Sequence, residues 1–360
     1  MLKSILRIII ALIFIASGFV KAVDAVGFSF KMEEYFSPSV FNMPFFEGIA
    51  LPIAVFVVAL ELVLGFLLLL NISVKKVLLA LIALCVFFAF LTFYSAYFNK
   101  VTDCGCFGDA IKFTPWQSFF KDIILLFGLI VLWFLYRKDS GSQSNFIQKA
   151  VLGILMIASA VVIFIGISKE PVIDFRDYKI GTNLNSEKEK IAKDPDEYKT
   201  FYVLKNKKTG EEKEVNQDVY VNDKQYWQDG TPWEIQSDKI ISKLVKEGYS
   251  SEISKFKLED ADGIEITEEV LKAPKAVIIF CYNPQTADKT VLGKAEAKAV
   301  QEKGAYVLGV SPDLKIFKTI KTASMDATPI KTIARSNPFV LILENGKIED
   351  KIPAKDFIKE

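Results

Sequence analysis

The sequence predicts an α-helical membrane bundle followed by a soluble α/β domain, and three observations support this fold class. First, residues 1–167 hold only 12 of the 44 Lys and Arg and 9 of the 43 Asp and Glu, but 23 of the 30 Phe. Second, this half contains five apolar stretches of roughly 20 residues, the length that crosses a bilayer. Third, the pattern after residue 275 alternates buried strands with helices, which is typical of α/β folds.

The composition excludes several classes of function. The chain contains no His, so neither a Ser-His-Asp triad nor a His-ligated zinc site can form. The formal net charge is +1 and no basic block is present, which argues against nucleic-acid binding. Four Cys in 360 residues do not make a disulfide scaffold. We therefore look for function in a small number of Cys and charged side chains.

Each apolar stretch predicts one membrane-spanning helix. The five stretches cover residues 5–23, 48–72, 74–98, 116–136 and 150–167. The first also fits a signal peptide with Lys3 and Arg7 as its basic region, although further spans follow it in either case. The second and third are separated only by a short turn, so we expect them to form an antiparallel hairpin.

Lys and Arg in the short connections predict the orientation of the bundle. These residues occur before the first span, between the second and third, and around the loop between the fourth and fifth: Lys3, Arg7, Lys75, Lys76, Arg137, Lys138 and Lys149. With five spans, all of these positions lie on one side, which we predict to be the cytoplasm. We therefore expect a multi-pass protein of the bacterial inner membrane, with its N-terminus cytoplasmic and its C-terminal domain periplasmic.

The loop between the third and fourth spans carries residues suited to redox chemistry. Residues 102–109 read Thr-Asp-Cys-Gly-Cys-Phe-Gly-Asp, so Cys104 and Cys106 are close enough to pair across a permissive Gly. A strained or exposed disulfide is easily reduced and suits thiol–disulfide exchange or electron transfer. A static disulfide clip and a thiolate metal site are the alternatives. A metal site would need further ligands, and only Asp103 and Asp109 are near. We therefore predict that no metal is bound.

Charged side chains inside apolar spans are costly and usually face a bundle interior or a cavity. Glu61 lies near the middle of the second span, and Asp122 lies about two turns into the fourth, below the Cys loop. We predict that both serve the redox site by moving protons; Glu61 has pairing with Lys21 or neutral packing as its alternatives. Lys21 and Lys121 are predicted to snorkel to the interface. Cys85, in the third span, is predicted to be a core residue.

These residues resemble the pattern of the DoxX/MauE family of small membrane proteins. The similarity rests on Ser17, Gly18 and Lys21 in the first span, Glu61 and Gly65 in the second, and the Cys-Gly-Cys-Phe-Gly string at 104–108 before a Trp-led fourth span. It implies a four-helix membrane domain over residues 1–138. The MauE branch further implies maturation of a disulfide-rich periplasmic enzyme subunit for methylamine utilisation. The whole chain is similar to DoxX-type proteins of Bacteroidetes that carry a comparable soluble C-terminal part.

A helical bundle with a redox Cys loop also resembles membrane enzymes that generate disulfides and pass electrons to a quinone. This architectural resemblance implies a quinone as the electron acceptor. The aromatic run over residues 87–97 would be its pocket, although packing and lipid contact are the simpler explanation for these side chains. No sequence motif identifies the quinone itself.

The remaining chain divides into three predicted segments: a cytoplasmic loop and fifth span at 139–168, a linker with a small mixed region at 169–260, and a thioredoxin-like domain at 261–360. In the mixed region, strands are predicted at 201–204 and 219–221, and a helix at 237–247. After residue 275, strands are predicted at 276–281, 305–310, 339–343 and 347–351, with helices at 286–303 and 316–323. This order of elements resembles a thioredoxin fold.

The resemblance to a thioredoxin fold has one match and one departure near the expected active site. Asn337-Pro338 lies where that fold carries its cis-proline. The Cys-x-x-Cys motif is missing, because residues 282–288 read Tyr-Asn-Pro-Gln-Thr-Ala-Asp and Cys281 falls inside the predicted strand. We therefore expect no reductase activity from this domain. We expect it to bind an extended peptide beside Pro338 or to dock on the Cys loop.

The leading hypothesis is a thiol–disulfide or electron-transfer function through Cys104 and Cys106 that supports maturation of exported proteins. Its partners would be the lipid bilayer and a periplasmic client protein. The alternative is a non-enzymatic assembly factor or anchor, in which the Cys pair is a clip and the thioredoxin-like domain binds the client. A small-solute transporter is supported only by the intramembrane charges.

Overall fold

The structure is a computed structural model that describes residues 2–101, 105, 107–111, 113–139 and 144–359. The membrane part consists of helices α1 (Leu2–Val23), α2 (Ala25–Phe36), α3 (Pro44–Glu47), α4 (Ala50–Leu69), α5 (Val74–Phe98), α6 (Pro115–Tyr136) and α7 (Phe146–Ser168). Helices α1, α4, α5, α6 and α7 are long and apolar enough to cross a membrane. The five predicted spans are thereby confirmed.

Helices α1 and α4 pack at close range because Gly faces an apolar side chain on each of them. A Cβ added to Gly18 would lie 2.9 Å from Leu62 Cγ, and one added to Gly65 would lie 2.8 Å from Ile15 Cγ1. Small residues of this kind let helix backbones approach closely in membranes. The close packing brings the charged residues of the two helices within contact distance of each other.

The basic residues of the short connections meet at one end of the bundle, which we call the basal end. Arg7 donates to the carbonyl oxygens of Leu68 and Leu69, the latter at 2.7 Å, in the last turn of α4. Lys3 forms a 2.6 Å ion pair with Asp139 after α6. These contacts place the predicted basic clusters on the same side of the bundle.

The soluble part contains two sheets and six α-helices among the described residues. The strands are β1 (Glu197–Asn206), β2 (Glu212–Asn216), β3 (Trp233–Ile235), β4 (Ile241–Lys246), β5 (Lys275–Phe280), β6 (Tyr306–Val310), β7 (Lys321–Ala323), β8 (Phe339–Glu344) and β9 (Lys347–Pro353). The helices are α8 (Leu184–Lys193), α9 (Gln217–Asn222), α10 (Thr267–Lys272), α11 (Lys289–Ala299), α12 (Ala327–Ile333) and α13 (Ala354–Phe357). A soluble α/β region after the bundle agrees with the predicted fold class.

The smaller sheet is antiparallel, with the order β2-β1-β3 and with β4 paired to the first half of β1. Two predictions in this region are wrong. The predicted helix at 237–247 is strand β4, because its apolar residues pair across the sheet, Ile241 with Phe201 and Leu244 with Tyr198. The predicted strand at 219–221 lies in helix α9, whose first turn is capped by the side chain of Asn216.

The larger sheet has the order β7-β6-β5-β8-β9, in which β5, β6 and β7 are parallel and β8 and β9 are antiparallel to their neighbours. The core on one face includes Tyr178 and Leu184, which precede the sheet in the chain. The helix predicted at 316–323 is wrong, because residues 321–323 form β7 at the edge of the sheet. The Asn337–Pro338 peptide bond is cis, at the position where the resemblance placed it.

Candidate functional site

A small cavity lies inside the bundle among α1, α4, α5 and α6. Its volume of about 20 Å³ has room for roughly one or two water molecules. The polar side chains of its lining are Ser17, Lys21, Glu61, Lys121 and Asp122. Four charged groups therefore surround one cavity in an otherwise apolar bundle, and the two predicted proton carriers, Glu61 and Asp122, lie on its walls.

Lys21 and Glu61 form a buried ion pair on one wall of the cavity. Their Nζ and Oε2 atoms are 2.6 Å apart, and their side chains are 2% and 3% exposed. Lys21 also donates to Ser17 Oγ at 2.9 Å and lies over the Phe88 ring. The predicted snorkelling of Lys21 is wrong, because the close packing of α1 on α4 brings a carboxylate to its ammonium group. The pairing of Glu61 with Lys21, one of the alternatives that the sequence allowed for Glu61, is therefore present.

Asp122 lies on another wall and is held by three neighbours. Lys121 Nζ is 2.8 Å from Asp122 Oδ1, and Thr92 Oγ1 donates to Asp122 Oδ2 at 3.3 Å. The thiol of Cys85 donates to the Asp122 backbone oxygen at 3.2 Å. Cys85 is buried, as predicted for a core residue. Asp122 thus has a fixed orientation toward the cavity through contacts from α5 and from its own helix.

The described residues of the Cys loop, 105 and 107–109, lie at the end of the bundle remote from the basal end. Cys104 and Cys106 lie outside the described residues, but the residues beside them are described. Gly105 has φ +62°, and a Cβ there would lie 3.0 Å from Lys31 Cγ on α2, so a side chain at this position would be strained. Phe107 lines the cavity, with Lys121 Nζ 5.2 Å from its ring centroid. The residues that flank the Cys pair therefore contact α2 and the charged cavity.

The soluble part packs on this same end, which we call the docked end, through a buried arginine. Arg335 lies two residues before the cis peptide bond and is 7% exposed. Its Nη2 atom is 2.7 Å from Asp24 Oδ2, at the N-terminus of α2, and 2.6 Å from Asp109 Oδ2 in the Cys loop. Burial opposes the charge on Arg335, but the two carboxylates outweigh it and raise its pKa. Burial also acts to raise the pKa of Asp24, and the guanidinium nevertheless holds it below its usual value.

Further contacts complete the docked end. Glu170, just after α7, accepts from the backbone N of Arg335 at 2.9 Å and from Ser336 Oγ at 3.0 Å. Tyr282 packs edge-on against Phe30 of α2, with ring centroids 5.6 Å apart. The loop that stands where a Cys-x-x-Cys motif was expected therefore faces the bundle. Docking near the Cys loop was one of the two expectations for this domain.

The sequence predicts the buried position of Cys281 but not the residues of the interface. Cys281 is fully buried, and burial raises the pKa of its thiol to about 11, in agreement with the predicted core role. The interface residues Asp24, Glu170 and Arg335 were not predicted. They lie in ordinary polar segments, and no local pattern distinguishes them from solvated charges.

The spans and the docked soluble part define a multi-pass membrane protein with a soluble α/β region packed on one end of its helical bundle. The family described as "Methylamine utilisation protein MauE" matches residues 1–135, so the membrane segment is MauE-like, as the sequence resemblance implied. "Protein TlpB" of Flavobacterium psychrophilum is 29% identical over 175 residues, which cover 47% of this chain and 46% of that protein. The chain thus spans about half the length of this curated relative. No solved structure matches the chain significantly.

Proposed function

We propose that this protein exchanges thiols and disulfides through Cys104 and Cys106 and thereby supports the maturation of exported proteins. The observation that carries the proposal is the charged cavity directly beneath the loop, because Phe107, next to Cys106, forms part of its wall. The match of the membrane segment to MauE supports a role in maturation. A pair that served only to clip the loop would not need four ionisable groups around the cavity below it.

The exchange step needs only sulfur chemistry. A client thiolate attacks one sulfur of the loop disulfide, and the S–S bond of the loop breaks as a mixed disulfide forms. The second client thiolate then attacks the mixed disulfide and releases the reduced loop. Two electrons and two protons pass from the client to the loop, so the client gains the disulfide that the loop loses. The reverse sequence reduces a client.

The cavity supplies a route for the protons of this exchange. A thiol must lose its proton before it attacks, and the leaving thiolate must gain one. Asp122 and Glu61 are the carboxylates on the cavity walls, and Lys121 and Lys21 are their cationic partners. One or two waters in the cavity would connect these groups to the loop. We propose that Asp122 and Glu61 hold and pass the protons.

A quinone as the electron acceptor stays a prediction that rests on the architectural resemblance. The aromatic side chains of α5 stack on one another and on their neighbours, as Tyr94 does on Phe41 with centroids 4.7 Å apart. No step is routed through a quinone: a second disulfide accepts the two electrons and two protons of the reduced loop, and in the reverse direction a second dithiol supplies them.

We also propose a fold for the soluble domain and an orientation of the bundle in the membrane. We propose a thioredoxin-like domain, supported by the strand order β6-β5-β8-β9, in which only the first pair is parallel. We propose that the basal end faces the cytoplasm of a bacterial inner membrane, because it carries the basic clusters. The Cys loop and the soluble domain then face the periplasm, where disulfides persist.

The test is the redox state of the Cys pair in intact cells. Cells are equilibrated with graded dithiothreitol, and free thiols are then alkylated with a maleimide that shifts the protein on a gel. We expect Cys104 and Cys106 to titrate between dithiol and disulfide, and Cys104→Ser to trap mixed disulfides through Cys106. Cys85→Ser and Cys281→Ser are matched controls, since both thiols are buried, and they should leave the titration unchanged.

A pair that stays oxidised at every reductant concentration, with no trapped adduct, would exclude exchange. That result would favour the second function, a non-enzymatic assembly factor or anchor. The observation that favours this alternative is Tyr282, which occupies the expected Cys-x-x-Cys loop and packs on Phe30 of α2. The soluble domain would then hold a client to the bundle without redox chemistry.

A further inference from the structure

One arginine of the soluble domain joins the Cys loop to the membrane bundle. Arg335 Nη2 contacts Asp109, three residues after Cys106, at 2.6 Å, and the same guanidinium contacts Asp24 at 2.7 Å. Asp24 itself accepts from Gly27 N at 2.8 Å and so caps helix α2. Asp109 of the Cys loop, helix α2 and the soluble domain therefore meet at one buried group.

We infer that Arg335 is a positioning residue for the Cys-Gly-Cys loop: it fastens Asp109 against Asp24, so that the soluble domain completes the redox site of the bundle. This inference rests on the proposed function. It assigns the domain a role that does not need a Cys-x-x-Cys motif of its own. It also explains why a domain without redox Cys packs its expected active-site edge on the bundle.

The geometry of the contact requires arginine. The Nε atom donates to both oxygens of Asp24 at 2.9 Å, Nη2 bridges to Asp109, and Nη1 donates to the backbone oxygen of Lys331. A planar guanidinium offers five N–H donors in a fixed fork, whereas an ammonium is a single point charge. Lys at position 335 would keep the charge but lose this set of simultaneous contacts.

Gly27 shows how closely the guanidinium is fitted to α2. A Cβ added at this residue would lie 2.6 Å from Arg335 Nη2 and 2.5 Å from Asp24 Oδ2. Contacts under 3.0 Å cannot be accommodated unless the neighbouring atoms move. Gly27→Ala therefore displaces the Asp24 carboxylate and the Arg335 guanidinium without altering any charge, which separates the effect of position from that of electrostatics.

The neighbouring pair between Lys331 and Glu33 provides a matched control. Its Nζ and Oε2 atoms are 2.8 Å apart at the same interface, between α12 and α2, but its side chains are partly exposed. Among the described residues, neither side chain forms a hydrogen bond or ion pair with the Cys loop, so we expect Lys331→Gln to weaken docking without releasing the loop.

The experiment measures thiol–disulfide exchange by the full chain in native membranes. The Cys pair is reduced with dithiothreitol, washed, exposed to oxidised glutathione and alkylated at timed intervals. We expect exchange to be about tenfold to a hundredfold slower in Arg335→Gln, Asp109→Asn and Gly27→Ala, because Asp109 is then no longer fastened against α2. Arg335→Lys should rescue little, and Lys331→Gln should stay within about twofold of the unaltered protein.

Asp109→Asn is the decisive variant. A purely electrostatic role for Arg335 predicts that removing the negative charge of Asp109 favours the thiolate and makes exchange faster. Positioning predicts that exchange becomes slower, as in Arg335→Gln. Exchange at the original rate or faster in Asp109→Asn would overturn the inference.

Hydrogen exchange of the peptide that contains residues 105–111 separates this inference from the proposed function. We expect its protection to fall in Arg335→Gln and Asp109→Asn and to persist in Lys331→Gln. An unaltered Cys pair that dithiothreitol never reduces would overturn the proposed function even if that protection depends on Arg335. A working Cys pair whose exchange and loop protection are unchanged in Arg335→Gln would overturn the inference alone.

Discussion

Two buried charged clusters in this protein are built on different principles. Inside the bundle, the ammonium group of Lys21 meets the carboxylate of Glu61 on a neighbouring helix. At the docked end, the guanidinium of Arg335 binds two carboxylates that precede it by 226 and 311 residues, Asp109 and Asp24. The first cluster joins two helices that pack closely in any case. The second joins three segments that lie far apart in the chain and meet only where the soluble part docks.

The difference shows how a cation is matched to its task. The ammonium group of Lys is close to a point charge and suits a site with one carboxylate partner, as in the bundle. A planar fork serves where several acceptors must be held in fixed directions. A buried charge that has lost its partner is costly in free energy. We therefore expect both clusters to tolerate the loss of a whole ion pair better than the loss of one partner.

The largest expected effect comes from breaking the cluster inside the bundle. Glu61→Leu leaves the ammonium of Lys21 buried without its carboxylate and should lower the stability of the bundle by about 3–5 kcal/mol. The double variant Lys21→Met with Glu61→Leu should recover most of that loss, since apolar residues of similar volume often replace a buried pair without cost. Thermal unfolding in detergent of the unaltered protein, Lys21→Met, Glu61→Leu and the double variant gives the coupling free energy of the pair directly.

The same double variant separates stability from function. If Glu61 passes protons, thiol–disulfide exchange should stay impaired even though the fold is restored. Lys3→Gln is the control: its pair with Asp139 is about 40% exposed on each side, and its loss should cost less than about 1 kcal/mol. A double variant as unstable as Glu61→Leu would show that the site requires the charges for folding itself.

The next effect concerns the packing that creates the pair in the bundle. Gly65→Ala places a Cβ 2.8 Å from Ile15 Cγ1 and should destabilise the bundle by about 1–3 kcal/mol. Gly153→Ala, in α7, is the matched control, because no atom lies within 4 Å of the added Cβ. We expect that control to be neutral or slightly stabilising, since Ala favours helix. Equal unfolding temperatures for the two variants would contradict the account of α1–α4 packing.

The two clusters also differ in how far the sequence foretells them. Lys21 and Glu61 stand out because charges are rare in apolar spans, and the spans themselves follow from length and composition. Arg335 and Asp109 lie in segments where charges are common. Their meeting depends on how the soluble part docks, which is a tertiary property with no local periodicity.

The errors in secondary structure have a similar origin. The apolar residues at 240, 241, 244 and 245 fit the spacing of a helix, yet the chain there pairs with β1 as a strand. Pairing in a sheet is decided by the neighbouring strand more than by the segment's own preference. The buried strand β5, whose apolar run is continuous and flanked by turn signals, was predicted correctly because no competing period exists there.

The smallest expected effect is the response of the docked end to acid. Arg335 holds the pKa of Asp24 below its usual value against the opposing effect of burial. Asp174 is buried as well, and Arg176 and Lys351 lower its pKa to about 2. Both carboxylates bind fewer protons in the folded protein than in the unfolded chain. Their stabilising contribution is therefore complete above about pH 4 and is lost as the pH falls below it, through about 2 in the case of Asp174.

Asp174→Asn tests this pH dependence with little change of shape. Its carboxylate contributes at most about 2.5 kcal/mol at neutral pH, because the pKa falls from 3.8 to about 2 and one pKa unit corresponds to about 1.4 kcal/mol. Unfolding of the soluble part, followed by intrinsic fluorescence between pH 6 and pH 2, should show a shallower acid transition in this variant. Glu189→Gln is the control, since its pair with Lys193 is exposed and contributes little. An acid transition of the same slope in Asp174→Asn and in the unaltered protein would show that the charge of Asp174 does not stabilise the soluble part. Arg335 would then be the principal ionic contact of the docked end.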